Sequence, residues 1–344
     1  MKTKIKINEN PQTPVYKQII ESIIGLIDTG EYKEGDILPS MNELAGELCI
    51  SKETIKKAYS LLREKNIIDA TQGKGFYVSR VEENKKINIL LLFDKLSTYK
   101  HVLFSSFESH VGNNAEITIR IHNQDIDAFE QFVSENLDLF DYYVITPHFP
   151  LDDDVQKRVV KTLKKIPNRK LILLDRNIED LNGNFGAVYQ DFEKDIYIGL
   201  MQGVHKFKRF TKLNVVTMSS SLYAPLFVEG IREFCSTNSI NVEFHNDFVP
   251  DIIHKKEVYL ILNSQLDTGL IGLIKSAKMM KYKIGKDIGI ISYNESPINE
   301  IILDGLTTIS TDFNQMGGLA AQMIYEKNFK KIKCDFHLIG RSTF

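Results

Sequence analysis

The sequence is poor in cysteine, with only Cys49, Cys235 and Cys334 among 344 residues. Because these three are odd in number and far apart, they exclude a disulfide framework and a CxxC metal knuckle, and they fit a reducing cytosol. Apolar runs are also short: none approaches the ~18 residues that a membrane span needs. The first ten residues, MKTKIKINEN, contain no apolar segment of a secretory signal. We therefore expect a cytoplasmic protein that does not enter a membrane.

Signatures of metal, cofactor and catalytic chemistry are missing too. The eight histidines show no HExxH and no paired spacing. No G-x-S-x-G surrounds the serines at 219–221, and the chain has neither a P-loop nor a complete dinucleotide fingerprint. Asp152-Asp-Asp154 is interpreted as the cap of the following helix, where acids complement the helix dipole. The sequence thus predicts no catalytic residue, no metal and no cofactor.

An overall excess of positive charge is absent as well, since the formal net charge is −2. Residues 1–80 contain 12 Lys and Arg against 11 Asp and Glu. Any nucleic-acid surface must therefore be local. The composition, 43% apolar and 26% charged, is that of ordinary globular domains. At roughly 150 residues per domain, the length suggests about two of them.

The chain changes character near residue 80. Up to that point the apolar periodicity is helical, and beyond a short charged segment compact apolar runs alternate with amphipathic stretches. We predict a first domain over residues 1–80, a linker over 81–86 and a second domain over 87–344.

The second domain is predicted to be a doubly wound α/β fold. The predicted strands, many of them continuous in Val, Ile, Leu and Tyr as in buried parallel sheets, are residues 87–93, 116–122, 142–146, 170–174, 186–189, 213–218, 241–248, 258–262, 288–292 and 307–310. The helices between them are residues 125–137, 152–166, 191–208, 225–237, 268–280 and 313–326. Ten strands exceed one sheet, so we expect two parallel sheets of five or six strands and hence two lobes. Ligands of such folds bind at the carboxyl ends of the strands.

The first domain carries the pattern of a helix-turn-helix. Residues 14–27 predict one helix, and Ser40-Met-Asn-Glu43 is a capping box that begins a second. Ile50-Ser51 interrupts this second helix, and a third runs from Ser51 to about residue 65. Short helices joined by a tight turn are typical of helix-turn-helix modules, whose second helix enters the major groove with its N-terminal half.

A small hairpin follows the third helix. Residues 67–70 and 76–79 predict two strands around the tip Gln72-Gly-Lys-Gly75, and two glycines there allow a wing to approach a phosphate backbone closely. From pattern and charge alone, a small helical domain with solvated lysines explains these residues about as well as DNA binding does. The candidate DNA-binding residues are Ser40, Asn42, Ser51, Lys52, Thr54, Lys56, Lys57, Gly73 and Lys74.

Residues 14–78 resemble the winged helix of the GntR family of bacterial transcription regulators. The matching segments are Pro14-Val-Tyr-Lys-Gln-Ile, Gly30-Glu-Tyr-Lys-Glu-Gly-Asp-Ile-Leu-Pro-Ser40, Glu43-Leu-Ala45, Ile50-Ser-Lys-Glu-Thr-Ile-Lys56 and Gly73-Lys-Gly75-Phe-Tyr-Val78. The family usually has Arg at the positions of Asn42, Lys52 and Lys56. Lysine keeps the charge but loses the bidentate fork that reads guanine, so the resemblance implies retained backbone contacts and an altered base preference.

Residues 87–344 resemble the periplasmic-binding-protein-like effector domain of the LacI family. The strand that ends in Asp175-Arg176 and the strand that ends in Ser292-Tyr-Asn294 match that family's segments. The other effector domains of GntR-type proteins are all-helical, about half as long, or aminotransferase-like and longer. The resemblance implies that a small molecule binds between the lobes, and the candidate effector-binding residues are Asp94, Lys95, His148, Arg176, Asp191, Tyr223, Phe227, Asn263 and Asn294.

Two of these candidates have open interpretations. Arg176 binds the effector or pairs structurally with Asp175 or Asp191. Phe227 stands where the family commonly has Arg, which implies an effector that is less polar on that side, such as a deoxysugar. A sugar, a deoxysugar and a sugar phosphate all remain candidates.

The sequence as a whole favours a transcription regulator of carbohydrate-utilisation genes. The resemblance to the family implies that it is a repressor. We expect a homodimer on double-stranded operator DNA, controlled by a sugar-like effector and without a membrane partner. The alternatives are an α/β enzyme acting on a sugar or nucleotide with an N-terminal oligomerisation module, and a ligand-binding protein without transcriptional output. No nucleophile or acid/base pair could be assembled for the enzyme.

Overall fold

The computed structural model describes residues 3–7, 13–71, 73, 75–79, 86–218, 221–246, 253–262 and 268–344. The chain divides into two compact units, Met1–Lys85 and Lys86–Phe344. Of the predicted linker, residues 81–86, only Lys86 belongs to the described part. Among the described helices, none is both long and apolar enough to span a bilayer.

The N-terminal unit is a three-helix domain with an antiparallel hairpin. Its elements are α1 (Val15–Asp28), α2 (Met41–Leu48), α3 (Lys52–Glu64), β1 (Ile68–Thr71) and β2 (Gly75–Val78). Each element contributes to one buried core, which includes Ile19, Ile23, Leu44, Ile55, Leu62, Ile68 and Val78. The predicted helix-turn-helix and hairpin are confirmed, with boundaries that shift by about one residue.

Local backbone chemistry fixes the turn between α2 and α3. The Ser40 hydroxyl accepts from the Glu43 N–H at 3.2 Å, and the Glu43 carboxylate accepts from the Ser40 N–H at 2.8 Å, so the predicted capping box is confirmed. Cys49 ends α2 in the left-handed region, with φ of 52°. The Ser51 hydroxyl then accepts from the Thr54 N–H at 3.3 Å and begins α3. Each such N-cap stabilises a helix by about 1 kcal/mol.

The first lobe of the C-terminal unit contains β3 (Ile87–Phe93), α4 (Thr98–Val111), β4 (Ala115–Ile121), α5 (Ile126–Glu135), β5 (Tyr142–Ile145), α6 (Asp153–Leu163), β6 (Leu171–Asp175), β7 (Gly186–Tyr189), α11 (Phe313–Glu326) and β13 (Lys331–Lys333). The sheet order is β13-β7-β6-β5-β3-β4, with all pairs parallel. Alternate residues of β3 enter two different cores: Leu90 and Leu92 face one, and Ile89 and Leu91 face the other.

The second lobe contains α7 (Phe192–Gln202), α8 (Val204–Phe207), β8 (Lys212–Thr217), α9 (Ala224–Thr237), β9 (Asn241–Asn246), β10 (Glu257–Ile261), α10 (Thr268–Met279), β11 (Gly289–Tyr293), β12 (Thr307–Thr311) and β14 (Phe336–Ile339). The sheet order is β14-β12-β11-β10-β8-β9. Two buried clusters again cover its faces. The predicted two-lobed α/β fold is confirmed.

Two parts of the prediction were wrong, the set of strands and one helix. The strands β13 and β14 were not predicted, and β14 pairs antiparallel with β12 in a sheet expected to be wholly parallel. The single helix expected over residues 191–208 is interrupted at Gly203, which separates α7 from α8. The end of the strand predicted over residues 241–248 lies outside the described residues.

The chain crosses between the lobes at three places: between β7 and α7, between β12 and α11, and between β13 and β14. Hydrogen bonds tie these crossings together. The Cys334 N–H donates to the Tyr189 carbonyl at 2.8 Å, and the Asp312 N–H donates to the Asp335 carbonyl at 2.9 Å. The crossings thus form one bonded hinge beside the carboxyl ends of the strands.

Candidate nucleic-acid interface and ligand cleft

The N-terminal half of α3 presents three exposed lysines, Lys52, Lys56 and Lys57. Among the described residues Lys52 has no salt-bridge partner, whereas the Lys56 ammonium lies 3.9 Å from the Glu53 carboxylate. The Lys57 ammonium lies 4.1 Å from the centre of the Tyr16 ring of α1, a cation–π contact. The three lysines therefore differ in their freedom to meet a phosphate.

The other predicted DNA-binding residues surround this helix. Asn42 is exposed in the first turn of α2. Ser40, Ser51 and Thr54 have their hydroxyls engaged locally: Ser40 accepts from Glu43, and the hydroxyls of Ser51 and Thr54 lie 2.8 Å apart. The Ser40 and Ser51 hydroxyls act first as helix caps, the Thr54 hydroxyl bonds the Ser51 hydroxyl, and the contact of all three with DNA stays a prediction.

The hairpin tip is built for a close backbone approach. Gly73 and Gly75 both have φ of 86°, a left-handed conformation that strains any residue with a Cβ. Lys74 lies outside the described residues. The glycines of the predicted wing are therefore explained by backbone geometry, and the role of the wing in DNA binding remains a prediction.

The candidate effector residues of the first lobe lie on the loops after β3, β5 and β6. Asp94 is buried, pairs with the buried Lys100 of α4, and accepts from the Thr146 hydroxyl at 3.0 Å. Burial lowers the pKa of Lys100 to about 8. Lys95 is exposed. Asp94 is thus held by the fold, and its neighbour Lys95 is open to solvent.

His148 pairs with Asp175 at the end of β6. Its Nε2 lies 2.9 Å from the Asp175 carboxylate, and both side chains are buried. Burial lowers the pKa of His148 to about 4, against the opposing attraction of Asp175. Burial also opposes ionisation of Asp175, but His148, Lys100 and Gln190 together hold the pKa of Asp175 below its usual value. At neutral pH the pair is a neutral imidazole that donates to a carboxylate.

Arg176 forms no ion pair with Asp175 or Asp191. Its guanidinium donates to the Pro147 carbonyl at 3.3 Å and lies 5.5 Å from the centre of the Tyr223 ring. Asp175 is occupied by His148 and Gln190. Asp191 caps α7 by accepting from the Lys194 N–H at 3.2 Å, and it also pairs with the Lys194 ammonium. Both carboxylates that could have neutralised Arg176 are engaged elsewhere.

The second lobe supplies an aromatic wall. The rings of Tyr223 and Phe192 stack at 4.5 Å, and Phe227 meets the edges of Phe192 and Tyr293. His148 of the first lobe reaches Tyr223 at 5.2 Å between ring centres. Phe227 is buried to the same degree as Tyr223 and Phe192.

Several buried polar side-chain atoms have no hydrogen-bond partner in the described part of the chain. Asn177 Oδ1, the Tyr223 hydroxyl and Asn294 Oδ1 lie on strand-end loops of the two lobes, and the others are Ser97 Oγ, Lys100 Nζ and Ser292 Oγ. A buried polar group that is left unpaired costs roughly 1–3 kcal/mol. Asn294 also has φ of 70°, as Asp175 has φ of 69° at the end of β6. Unpaired atoms and left-handed backbone at matching strand ends are typical of a ligand site. Asn263 lies outside the described residues.

Sequence reasoning missed the residues that connect the two lobes. Gln190, on the first crossing, donates its amide N–H to Asp175 and accepts from the hydroxyls of Tyr293 at 2.7 Å and Thr311 at 3.0 Å. All four side chains are buried. The only available signal was their position, because each lies at or directly after the end of a predicted strand.

Comparisons with known proteins agree with this division of the chain. Residues 15–78 match the family of bacterial regulatory proteins described as the gntR family. The HTH-type transcriptional repressor YtrA of Bacillus subtilis is 38% identical over 86 residues, which are 25% of this chain and 64% of YtrA. This chain therefore spans less than two thirds of that relative's length.

Solved structures show the fold of the remainder. The trehalose repressor from Escherichia coli matches with a TM-score of 0.60 and 13% identity, over 74% of this chain and 99% of that one. The lac repressor dimer bound to operator and the anti-inducer ONPF matches with a TM-score of 0.58 and 16% identity, over 76% and 95%. The chain therefore carries a GntR-family helix-turn-helix domain at its N-terminus, followed by a two-lobed domain with the fold of LacI-type repressors.

Proposed function

We propose that this protein is a sequence-specific transcription regulator that represses carbohydrate-utilisation genes. It binds double-stranded operator DNA as a homodimer in the cytoplasm, and a sugar-like molecule between the two lobes controls it. The observation that carries the proposal is the exposed lysine face of α3 beside the glycine hairpin, within a GntR-family domain. A helix of this kind reads base edges, while lysines and wing contact phosphates.

The proposed homodimer follows from the number of bases that one module reaches. A single helix-turn-helix contacts too few bases for adequate specificity, so two half-sites about one helical turn apart are needed. The second lobe has exposed apolar side chains that support self-association: Ile301 is 79% and Met279 is 84% exposed. Both belong to segments that pack on one buried cluster, through Ile302 and the helix α10.

The proposed effector is polar and uncharged. In the described part of the cleft Asp94 and Asp175 are balanced by Lys100 and Arg176, Asp191 is paired with Lys194, and Lys95 is exposed. The free donors of Arg176 and the unpaired atoms of Asn177, Tyr223 and Asn294 suit hydroxyl groups, and the aromatic wall suits the apolar face of a sugar ring. Among the candidate effectors, this balance favours a sugar or deoxysugar over a sugar phosphate.

Effector binding is proposed to act through the angle between the lobes. Gln190 bonds Asp175 on one side and Tyr293 and Thr311 on the other, so a ligand that draws the strand-end loops together changes this bonded hinge. The coupling can be no larger than the ligand's difference in affinity for the two lobe arrangements, typically about 1–3 kcal/mol.

The DNA-binding part is tested by selection from a random duplex library with the full-length chain. We expect enrichment of a motif with two related half-sites, and we expect its affinity, measured by fluorescence polarisation, to fall steeply with salt. Binding without sequence preference, or no binding at all, contradicts the proposal.

The effector part is tested by a thermal-shift screen of neutral monosaccharides, deoxysugars and their phosphates, followed by polarisation with the selected duplex. We expect a neutral sugar both to stabilise the protein and to release DNA, and we expect Arg176→Gln to abolish both effects. Arg169→Gln is the matched control, because Arg169 is exposed just before β6 while Arg176 follows its carboxyl end. If both variants respond like the unmodified chain, the cleft assignment is wrong.

A further inference from the structure

The N-terminal unit has a surface cavity between its helices and the wing. The cavity has a volume of 320 Å³, and its lining combines apolar Ile37, Met41 and Phe76 with polar Asn42 and Lys52. Two of these residues, Asn42 and Lys52, lie on the proposed DNA-binding surface. The cavity is therefore continuous with that surface.

The polar groups around this cavity differ in their availability. Ser40 and Glu43 also line it, but the capping box occupies their side chains with each other's backbone N–H groups. Asn42 and Lys52 are exposed, and neither has a side-chain hydrogen bond or salt bridge to another described residue. An amide and an ammonium are thus the free polar groups at this cavity.

Backbone pairing with the strand β2 fixes the apolar side of the cavity. Ile37 pairs with Tyr77 as an isolated antiparallel bridge, and the Leu38 N–H donates to the Phe76 carbonyl at 2.8 Å. Because side chains alternate along an extended segment, the burial of Leu38 turns Ile37 outward, where it is 65% exposed. The Phe76 ring is fixed by an edge contact with Tyr59 at 4.8 Å. The result is a rigid apolar surface next to Asn42.

We propose that this cavity reads an A·T base pair in the major groove of the operator. Asn42 takes the adenine edge, with its amide bonding N6 and N7, and Ile37, with Met41 and Phe76 behind it, takes the thymine C5-methyl group. The methyl is the apolar group that the major groove offers, and Asn is the side chain that matches adenine bidentately. The positive charge of Lys52 holds the neighbouring phosphate. This inference rests on the proposed DNA-binding function and makes Ile37 a specificity-determining residue.

The test removes a single methyl group from the DNA and leaves the protein unchanged. After selection with the full-length chain, each thymine of the enriched half-site is replaced by deoxyuridine, one at a time, and affinity is measured by polarisation. At one position we expect a loss of about fourfold per half-site, the value of one buried methyl. The same measurement is made with Ile37→Ala, with Asn42→Ala and with Leu139→Ala. Leu139→Ala is a matched control, since Leu139 is also 65% exposed but lies in the other unit.

Each result decides the inference. Loss of the deoxyuridine effect in Ile37→Ala, its persistence in Leu139→Ala, and relaxed preference for adenine in Asn42→Ala support it. Sequence-specific binding that is equally strong with deoxyuridine at every position overturns this inference and leaves the proposed function standing. A deoxyuridine effect that persists in Ile37→Ala likewise overturns this inference and leaves the proposed function standing. Binding without any sequence preference overturns both, so the two failures are distinguishable.

Discussion

The three lysines of α3 should contribute unequally to DNA affinity, in the order Lys52, Lys56, Lys57. Lys52 is exposed and has no ion pair within the described residues. Lys56 must release Glu53, an exposed pair at 3.9 Å that is worth about 0–1 kcal/mol. Lys57 must leave the Tyr16 ring, a contact worth about 0.5–1 kcal/mol at an exposed site. The free-energy cost of freeing each ammonium for a phosphate contact therefore rises from Lys52 to Lys56 to Lys57.

The magnitude follows from counterion release. Each phosphate contact contributes about −0.9 to the slope of log K against log salt, so Lys52→Gln in a dimer, which removes two contacts, should flatten the slope by about 1.8. That change corresponds to a loss on the order of tenfold or more in affinity at 0.15 M salt. Lys56→Gln should give a smaller change, and Lys57→Gln the smallest.

The assay is fluorescence polarisation of the selected duplex over a range of salt concentrations, with each variant in the full-length chain. The matched control is Lys65→Gln, because Lys65 caps the far end of the same helix, about 20 Å away at 1.5 Å per residue. Equal slopes for Lys52→Gln and Lys65→Gln would refute the reasoning, as would a larger effect at Lys57 than at Lys52.

Three further predictions concern the second unit and are measured by chemical or thermal unfolding. Gly317→Ala should destabilise by about 1–3 kcal/mol, because a Cβ there would lie 2.4 Å from the Leu103 carbonyl oxygen. The neighbouring Gly318→Ala should cost less than Gly317→Ala, since its nearest atoms belong to the exposed His110 ring at 3.3 Å and not to backbone; similar losses in both variants would contradict this. Gln190→Leu should cost about 2–4 kcal/mol, because it leaves Tyr293 and Thr311 without their acceptor; an unchanged urea midpoint would disprove it. Finally, the folded pKa of His148 is about 4, below its unfolded value, so the unfolded chain binds the extra proton and stability should fall as pH is lowered from about 6.5 to about 4. His148→Gln should flatten that slope by about 1.4 kcal/mol per pH unit, and an unchanged slope would count against a buried neutral imidazole.

Local sequence chemistry was sufficient for the elements that carry their own signals. Ser40 and Glu43 predicted the start of α2 because a capping box is a contact between residues three apart. The strand β3 was predicted correctly because a continuous apolar run has few other solutions inside an α/β domain. By contrast, β13 is the short polar segment Lys331–Lys333, and it forms a strand only because β7 offers it a free edge. Tertiary context of that kind leaves no local pattern.

The candidate ligand site was predicted by position and only partly by chemistry. The strand ends indicated the loops on which Asp94, His148 and Arg176 lie, but no pattern indicated that Lys100 would be buried, since lysine on an amphipathic helix is expected to face water. Its burial follows from Asp94, a partner that lies on a different element. Ion pairs between residues on different elements decide which charged groups remain unpaired. The spacing of residues along the sequence does not reveal these pairs.

The structure removes the ion-pair interpretation of Arg176. From the sequence, a structural pair with Asp175 or Asp191 explained this arginine as well as a ligand did. The fold gives Asp175 two other donors, His148 and Gln190, and makes Asp191 the cap of α7. The Arg176 guanidinium donates to the Pro147 carbonyl of its own lobe and lies 5.5 Å from the centre of the Tyr223 ring of the opposite lobe, where the two lobes meet. A pairing within one lobe therefore does not explain this arginine, and its role in binding the effector stays the prediction that Arg176→Gln tests.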